Sequence, residues 1–138
     1  MKANILVLLV VLPFLTVFGQ KAELNELVSQ INASVKEVKA QDETYKQRIK
    51  NPTPGVLILE VDEVDKKGEI TPSTKEFNLA DIDPYAVRQE TDGDLIVVMM
   101  SIANKQKLVK TTEGGESGNY EDEVSIKAVD VNNARKLV

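Results

Sequence analysis

The stretch LIVVMM, Leu95 to Met100, is apolar at each of its six positions. A strand of this composition is typical of one that is covered on both faces. Asp92-Gly93 stands just before it and separates it from a second strand pattern, Tyr85 to Glu90. Asp-Gly between two strand patterns is the strongest short-range signal for a β-hairpin. The stretch therefore predicts an interior strand between two apolar layers, and the rest of the fold must supply both layers.

Alternation of apolar and polar residues predicts further strands on both sides of this hairpin. The six predicted strands are Val56 to Val64, Glu69 to Leu79, Tyr85 to Glu90, Leu95 to Met100, Lys105 to Thr112 and Tyr120 to Val129. Pro72 lacks a backbone donor, which predicts an edge position or a bulge for the second of them. Residues 113–118 are rich in Gly and predict a flexible loop.

A helical period precedes the strands. Eight residues, all apolar or aromatic except Asp42, are spaced alternately by four and three positions: Leu24, Val28, Ile31, Val35, Val38, Asp42, Tyr45 and Ile49. This spacing predicts one long amphipathic helix over residues 22–49, which Pro52 and Pro54 end. We expect the helix to cover the outer face of the 95–100 strand or to stand free as a stalk. Self-association through a coiled coil stays open as an alternative.

Residues 130–138 predict a short C-terminal helix with Asp130 as its N-cap. It either docks tightly or belongs to a longer natural chain, because a helix of about two turns is marginal alone. Together the patterns predict an α+β fold: the long N-terminal amphipathic helix, about six mainly antiparallel strands in a curled sheet or partial barrel, and the C-terminal helix. The predicted organisation is a signal peptide at 1–19, the helix at 20–50 and the β domain at 51–138.

The first twenty residues have the pattern of a secretion leader. Lys2 is followed by an almost wholly apolar run, Ile5 to Phe18, which is shorter than the ~20 residues of a membrane-spanning helix. Val17 and Gly19 fit the −3 and −1 positions and predict cleavage before Gln20, with an uncleaved anchor as the alternative. The sequence has no Cys, so neither a lipid-anchored leader nor a disulfide is predicted. The predicted location is periplasmic or secreted, with no transmembrane span after cleavage.

Charge and composition narrow the possible functions. The formal net charge is −5, and the sequence holds neither His nor Cys. An acidic body without a basic stripe does not predict nucleic-acid binding. The missing His and Cys exclude the Ser-His-Asp and Cys-His arrangements and imidazole or thiolate metal sites.

Carboxylate clusters are the remaining candidates for chemistry. The candidates are Asp81 with Asp83, Asp92 with Asp94, and the run Glu121-Asp122-Glu123. Paired carboxylates serve glycoside hydrolysis, and oxygen ligands serve calcium. Each cluster is better interpreted as a turn or a solvated strand edge. We therefore predict no catalytic residue, no cofactor and no metal-binding residue, with a weak calcium site left as an alternative.

Three segments carry a resemblance to known proteins: Phe77 to Pro84, Lys105 to Lys110, and Asn133 to Val138. They resemble a family of small exported proteins of unknown function from Bacteroidetes-type bacteria, over residues 76–138. The order of predicted elements is also similar to that of pleckstrin-homology-like barrels. The first resemblance implies export and supplies no catalytic residues; the second implies a shape only.

The predicted function is that of an exported, non-catalytic recognition or scaffolding module with a protein partner in the cell envelope. The alternative is a carrier of a small apolar ligand or lipid inside the curled sheet. Such a carrier predicts an internal cavity lined by Leu57, Leu59, Phe77, Val97 and Met99. A carboxylate-based hydrolase is the third hypothesis.

Overall fold

The computed structural model describes residues 21–137, which form nine strands and two helices. Helix α1 covers residues 21–35, and the short helix α2 covers Val131–Leu137. The strands are β1 Glu37–Ala40, β2 Glu43–Thr53, β3 Val56–Val64, β4 Ile70–Asn78, β5 Ile82–Asp92, β6 Leu95–Ile102, β7 Val109–Glu113, β8 Glu116–Glu121 and β9 Glu123–Ala128. The predicted leader, residues 1–19, lies outside the described residues.

The strands form two open antiparallel sheets. Sheet A has the order β1-β2-β3-β4-β7-β8, and sheet B has the order β5-β6-β9. The prediction of an α+β fold with about six strands in a curled sheet or partial barrel is therefore wrong, because the structure is mostly β and neither sheet closes. The chain leaves sheet A through a 3-10 turn, Leu79–Asp81, and starts sheet B at Ile82.

The long helix predicted over residues 22–49 is also wrong. Helix α1 ends at residue 35, and β1 and β2 form a hairpin in which Ala40 lies opposite Glu43. Tyr45 and Ile49 are buried four positions apart, a spacing that fits both a helix and alternate positions of a strand. Lys46 and Arg48 between them are exposed, as strand alternation requires. A coiled coil through residues 22–49 is excluded with the helix.

Two further segments differ from the prediction. Residues 113–118 are not a loop, because β7 and β8 pair as a hairpin with Gly114 and Gly115 at positive φ in its turn. Pro72 is not on an edge strand, since β4 lies between β3 and β7. The Pro72 carbonyl accepts from the Gly114 N–H at 2.8 Å. Because N–H and C=O of one strand residue point to the same side, the missing donor faces this turn and costs β4 no bond to β3.

The main core lies between the two sheets and α1. Its buried residues are Val35 from α1, Ile49, Leu57, Leu59, Phe77 and Val109 from sheet A, and Ile102, Val124 and Ile126 from sheet B. Each such apolar side chain contributes about 1.5–3 kcal/mol by leaving water. Val28 and Ile31 of α1 pack against the same cluster. The helix therefore belongs to the folded body rather than forming a stalk.

Strand β6 is covered on both faces, as LIVVMM predicts. Leu95 and Val97 pack in a cluster with Val38 and Tyr45 of sheet A. Val98, on the opposite face, is fully buried in a cluster that contains Ala134 of α2. At this position the cover is therefore the C-terminal helix and not the predicted N-terminal one.

Two side-chain amides take the place of a neighbouring strand. Asn32 of α1 donates to the Ile49 carbonyl at 2.8 Å and accepts from the Ile49 N–H at 2.6 Å. Gln47 of β2 donates to the Lys127 carbonyl at 2.8 Å and accepts from the Lys127 N–H at 2.9 Å. Its amide also donates to the Val35 carbonyl at 3.1 Å. Gln47 is thus buried with its polar atoms satisfied, and it joins α1, β2 and β9.

Candidate binding groove

The structure places Asp81 and Asp83 at the corner between the two sheets. Asp81 ends the 3-10 turn, and the Asp83 carboxylate accepts from the Tyr85 backbone N–H at 2.9 Å. The same corner is held by Asn78, whose side chain accepts from the Ala80 N–H at 2.9 Å. The two carboxylates therefore occupy a polar turn, which agrees with the interpretation from sequence.

The other two carboxylate candidates are held in separate contacts. Asp94 accepts from the Gln41 side chain at 2.6 Å across the ends of two hairpins. Glu121 pairs with Lys75, and Glu123 pairs with Arg88 at 2.9 Å. Within residues 21–137, no three carboxylates lie close enough together to hold a metal ion.

Arg88 connects the three strands of sheet B. Its guanidinium donates to Glu90 at 2.5 Å, to Ser101 at 2.9 Å and to Glu123 at 2.9 Å. Hydrogen bonds from Arg88 and Ser101 lower the pKa of the Glu123 carboxyl below its ordinary value. This network ties strand to strand at the sheet surface and leaves Glu123 ionised.

Two further titratable side chains, Lys127 and Tyr45, contact each other beside Gln47. The ammonium of Lys127 lies 4.2 Å from the centroid of the Tyr45 ring, a cation–π distance. Burial lowers the pKa of Lys127, and burial together with the hydrogen bond to Glu43 raises that of Tyr45. The pair packs sheet B on sheet A where the Gln47 amide also bridges them.

The β2–β4 groove is a surface depression of about 920 Å³, and its charged residues on β2 and β3 lie on the outer face of sheet A. Its lining residues are Asn32, Lys36, Glu37, Lys46, Gln47, Arg48, Glu60, Asp62, Pro72, Ser73 and Thr74. The lining includes three cations, three carboxylates and the apolar Pro72. A groove of this size falls in the range of ligand sites.

Strand register places the groove's charges in rows. Lys46 lies opposite Glu37 of β1 on one side and Asp62 of β3 on the other. Arg48 lies opposite Glu60, two residues further along β2. Directly opposed residues share one face of a sheet. The groove floor therefore carries a line of cations on β2 flanked by carboxylates.

Two of the groove's carboxylates form ion pairs with lysines outside the lining, and the groove's own cations form none in the described part of the chain. Glu60 pairs with Lys50 at 2.5 Å, and Glu37 pairs with Lys39 at 3.3 Å. Neither Lys50 nor Lys39 lines the groove. Lys36, Lys46 and Arg48 form no ion pair within the residues that the structure describes. Of the lining carboxylates, Asp62 alone forms no ion pair there.

A second depression, of about 420 Å³, lies between α1 and β2. Asn32 and Arg48 line both depressions, so the two adjoin at these residues. Arg48 therefore lies at the boundary between the two depressions.

Sequence reasoning missed this groove because it placed residues 36–49 in the long helix predicted over residues 22–49. Read as a strand, the stretch Tyr45 to Lys50 alternates buried and exposed positions, with Lys46, Arg48 and Lys50 on the exposed side. Three basic side chains on one face of a strand are the signal that could have found it.

The cavity predicted for a ligand carrier does not coincide with the groove. Leu57, Leu59 and Phe77 belong to the main core, whereas Val97 and Met99 belong to the cluster around Tyr45. None of these five side chains lines the β2–β4 groove. The groove gives the carrier hypothesis no support.

Comparison with known proteins identified no relative of this chain. No protein-family model matches the chain, and no curated protein or solved structure matches it significantly. None of the helices in residues 21–137 is long and apolar enough to cross a membrane.

Proposed function

We propose that the chain is an exported, non-catalytic recognition module that binds a protein partner in the cell envelope through the β2–β4 groove. The observation that carries the proposal is the set of three cations without ion pairs, Lys36, Lys46 and Arg48, around a groove of about 920 Å³. Charged side chains that no internal partner engages are available for an external one.

The floor of the groove supports this role. Strands β2, β3 and β4 are interior strands of sheet A, and their opposite face carries Ile49, Leu59 and Phe77 in the main core. Side chains on such a platform are held at fixed spacing, which lowers the entropy lost on binding.

The leader pattern supports export. The apolar run Ile5 to Phe18 behind Lys2 has the length of a signal-peptide core. A periplasmic or secreted location follows from cleavage before Gln20. Mass spectrometry of the chain recovered from the cell envelope tests this point, since we expect a mature N-terminus at Gln20; an intact Met1 terminus would contradict it.

Site-specific photocrosslinking tests the binding role. The full chain, with its own leader, carries a photoreactive amino acid at Thr74 in the groove or, as the control, at Lys67 in the β3–β4 turn. We expect ultraviolet light to produce a discrete crosslinked protein from the Thr74 position only.

The crosslink is then repeated with Arg48→Glu in the same chain. The groove hypothesis predicts that the Thr74 crosslink disappears while the amount of folded protein stays unchanged. An absent crosslink at Thr74, or an equal crosslink at Lys67, would show that the groove is not the binding surface.

A further inference from the structure

We propose that the occupant of the β2–β4 groove is an extended acidic polypeptide segment of the partner, with carboxylates at alternate residues. The proposal rests on the proposed function and names the chemistry of its partner. It is argued from the charge, the spacing and the remaining polar groups of the groove.

The groove is effectively basic although the chain is acidic. The whole sequence has a net charge of −5. Inside the groove, Glu60 and Glu37 are paired with lysines that are not part of the lining. Lys36, Lys46 and Arg48 then face only Asp62 among charged groups without an ion pair. The excess of free positive charge favours a negatively charged ligand.

The spacing of the cations fits an extended segment. Lys46 and Arg48 are two residues apart on β2, so their backbone positions are separated by about 6.6–6.8 Å. Alternate side chains of an extended peptide have the same separation. A segment with carboxylates at every second residue can therefore place one on the Lys46 ammonium and the next on the Arg48 guanidinium, whose planar fork binds carboxylates in two hydrogen bonds.

The carboxylates beside the cations disfavour a uniformly charged ligand. Asp62, the lining carboxylate without an ion pair in the described part of the chain, lies opposite Lys46 on the neighbouring strand. A ligand with charge at every position would place a negative group against it. The hydroxyl of Thr74, opposite Glu60 on β4, can instead bond an uncharged polar residue. Alternation of acidic and small polar residues matches this floor better than a polyuronate or a run of consecutive acids.

Binding of labelled synthetic peptides tests the inference. One peptide alternates Glu with Ser or Thr, a second has the same composition with its Glu residues consecutive, and a third replaces Glu by Lys. Fluorescence anisotropy with the full chain should show the tightest binding for the alternating peptide. Binding should weaken as salt rises, because exposed charges are screened.

Charge-reversal variants locate the binding. Lys46→Glu and Arg48→Glu should each weaken the alternating peptide about tenfold or more, as expected for loss of a charge-assisted contact. Lys107→Glu makes the same charge change at an exposed residue outside the groove and should leave the affinity unchanged. Lys46→Gln and Arg48→Gln remove the positive charge without adding a negative one, so they are less able to disturb folding than the charge reversals. They should also weaken binding, by a smaller factor.

The outcomes separate this inference from the proposed function. Equal binding of the alternating and consecutive peptides, tighter binding of an oligouronate, or no effect of Arg48→Glu would overturn the acidic-segment proposal. If the Thr74 crosslink persists but the alternating peptide does not compete with it, the partner is of another chemistry and only the inference fails. If the Thr74 crosslink itself is absent, the proposed function fails.

Discussion

The side chain of Gln47 on β2 forms two hydrogen bonds with the backbone of Lys127 on β9. Its amide nitrogen donates to the Lys127 carbonyl at 2.8 Å, and its amide oxygen accepts from the Lys127 N–H at 2.9 Å. Because β9 is an outer strand of sheet B, this contact supplies bonds that a further strand would otherwise make. One buried polar side chain therefore joins the two sheets.

We predict that Gln47→Leu destabilises the fold by about 2–4 kcal/mol, because three hydrogen bonds are lost and their backbone partners stay in the interior. Urea denaturation measures the change in the free energy of unfolding. Gln89→Leu makes the same substitution at an exposed residue of β5 and should change it by less than about 0.5 kcal/mol. Equal effects of the two variants would contradict the bridging role of Gln47.

Asn32→Asp tests the other amide contact. A carboxylate can accept from the Ile49 N–H but cannot donate to the Ile49 carbonyl, which it would repel. We expect a loss of about 1–3 kcal/mol in unfolding free energy, together with faster hydrogen exchange of the Ile49 amide. Asn25→Asp makes the same change on an exposed position of α1. If the Ile49 amide exchanges at the same rate in both variants, the contact between Asn32 and Ile49 does not stabilise the fold.

Thr111→Val is predicted to stabilise the protein. The hydroxyl of Thr111 is buried and has no hydrogen-bond partner within residues 21–137. Valine has nearly the same shape and removes the cost of desolvating that hydroxyl, so we expect a gain of about 1 kcal/mol. Thermal unfolding measures it, with Thr111→Ser as the variant that keeps the hydroxyl. A lower melting temperature for Thr111→Val than for the parent would contradict this account.

Glu123 should make stability depend on pH in the acid range. Arg88 and Ser101 lower its pKa in the folded state below the ordinary value of 4.5. A carboxyl with a depressed folded pKa stabilises the fold above its unfolded pKa, and the contribution is lost as pH falls through the folded pKa. Because Glu123 is 36% exposed and solvent screens the pair, the effect should be small.

The comparison variant is Glu123→Gln. We expect it to be less stable than the parent near neutral pH and to approach the parent as pH falls well below 4.5. Denaturant midpoints measured across this range check the prediction. A constant difference between the two proteins at all pH values would show that ionisation of Glu123 is not involved.

Predictions from sequence succeeded where one local signal had one structural meaning. The strand Val56–Val64 has the predicted bounds, and the Asp92-Gly93 signal marks a hairpin between β5 and β6. The continuous apolar run of β6 is covered on both faces. In each case local composition alone specified the conformation.

Prediction failed where two periodicities overlap. The apolar spacing from Val38 to Ile49 fits a helix as well as two strands joined by a turn. The turn residue with positive φ is Gln41, at 34°, and not a Gly that would have indicated the turn. Once that stretch was assigned to a helix, Lys46, Arg48 and Gln47 could not be placed on a sheet. The groove depends on cross-strand register, which is a long-range property that local patterns do not specify.

The position of β6 between β5 and β9 also determines which strand edges are open to pairing with another molecule. Its six consecutive apolar residues, Leu95 to Met100, are the composition that stacks readily into cross-β fibrils when exposed. Inside sheet B the run is shielded by a partner strand on each edge. On the outer edge of β9, the Gln47 amide engages the backbone N–H and C=O of Lys127, so these two groups are not free to pair with a strand of another molecule.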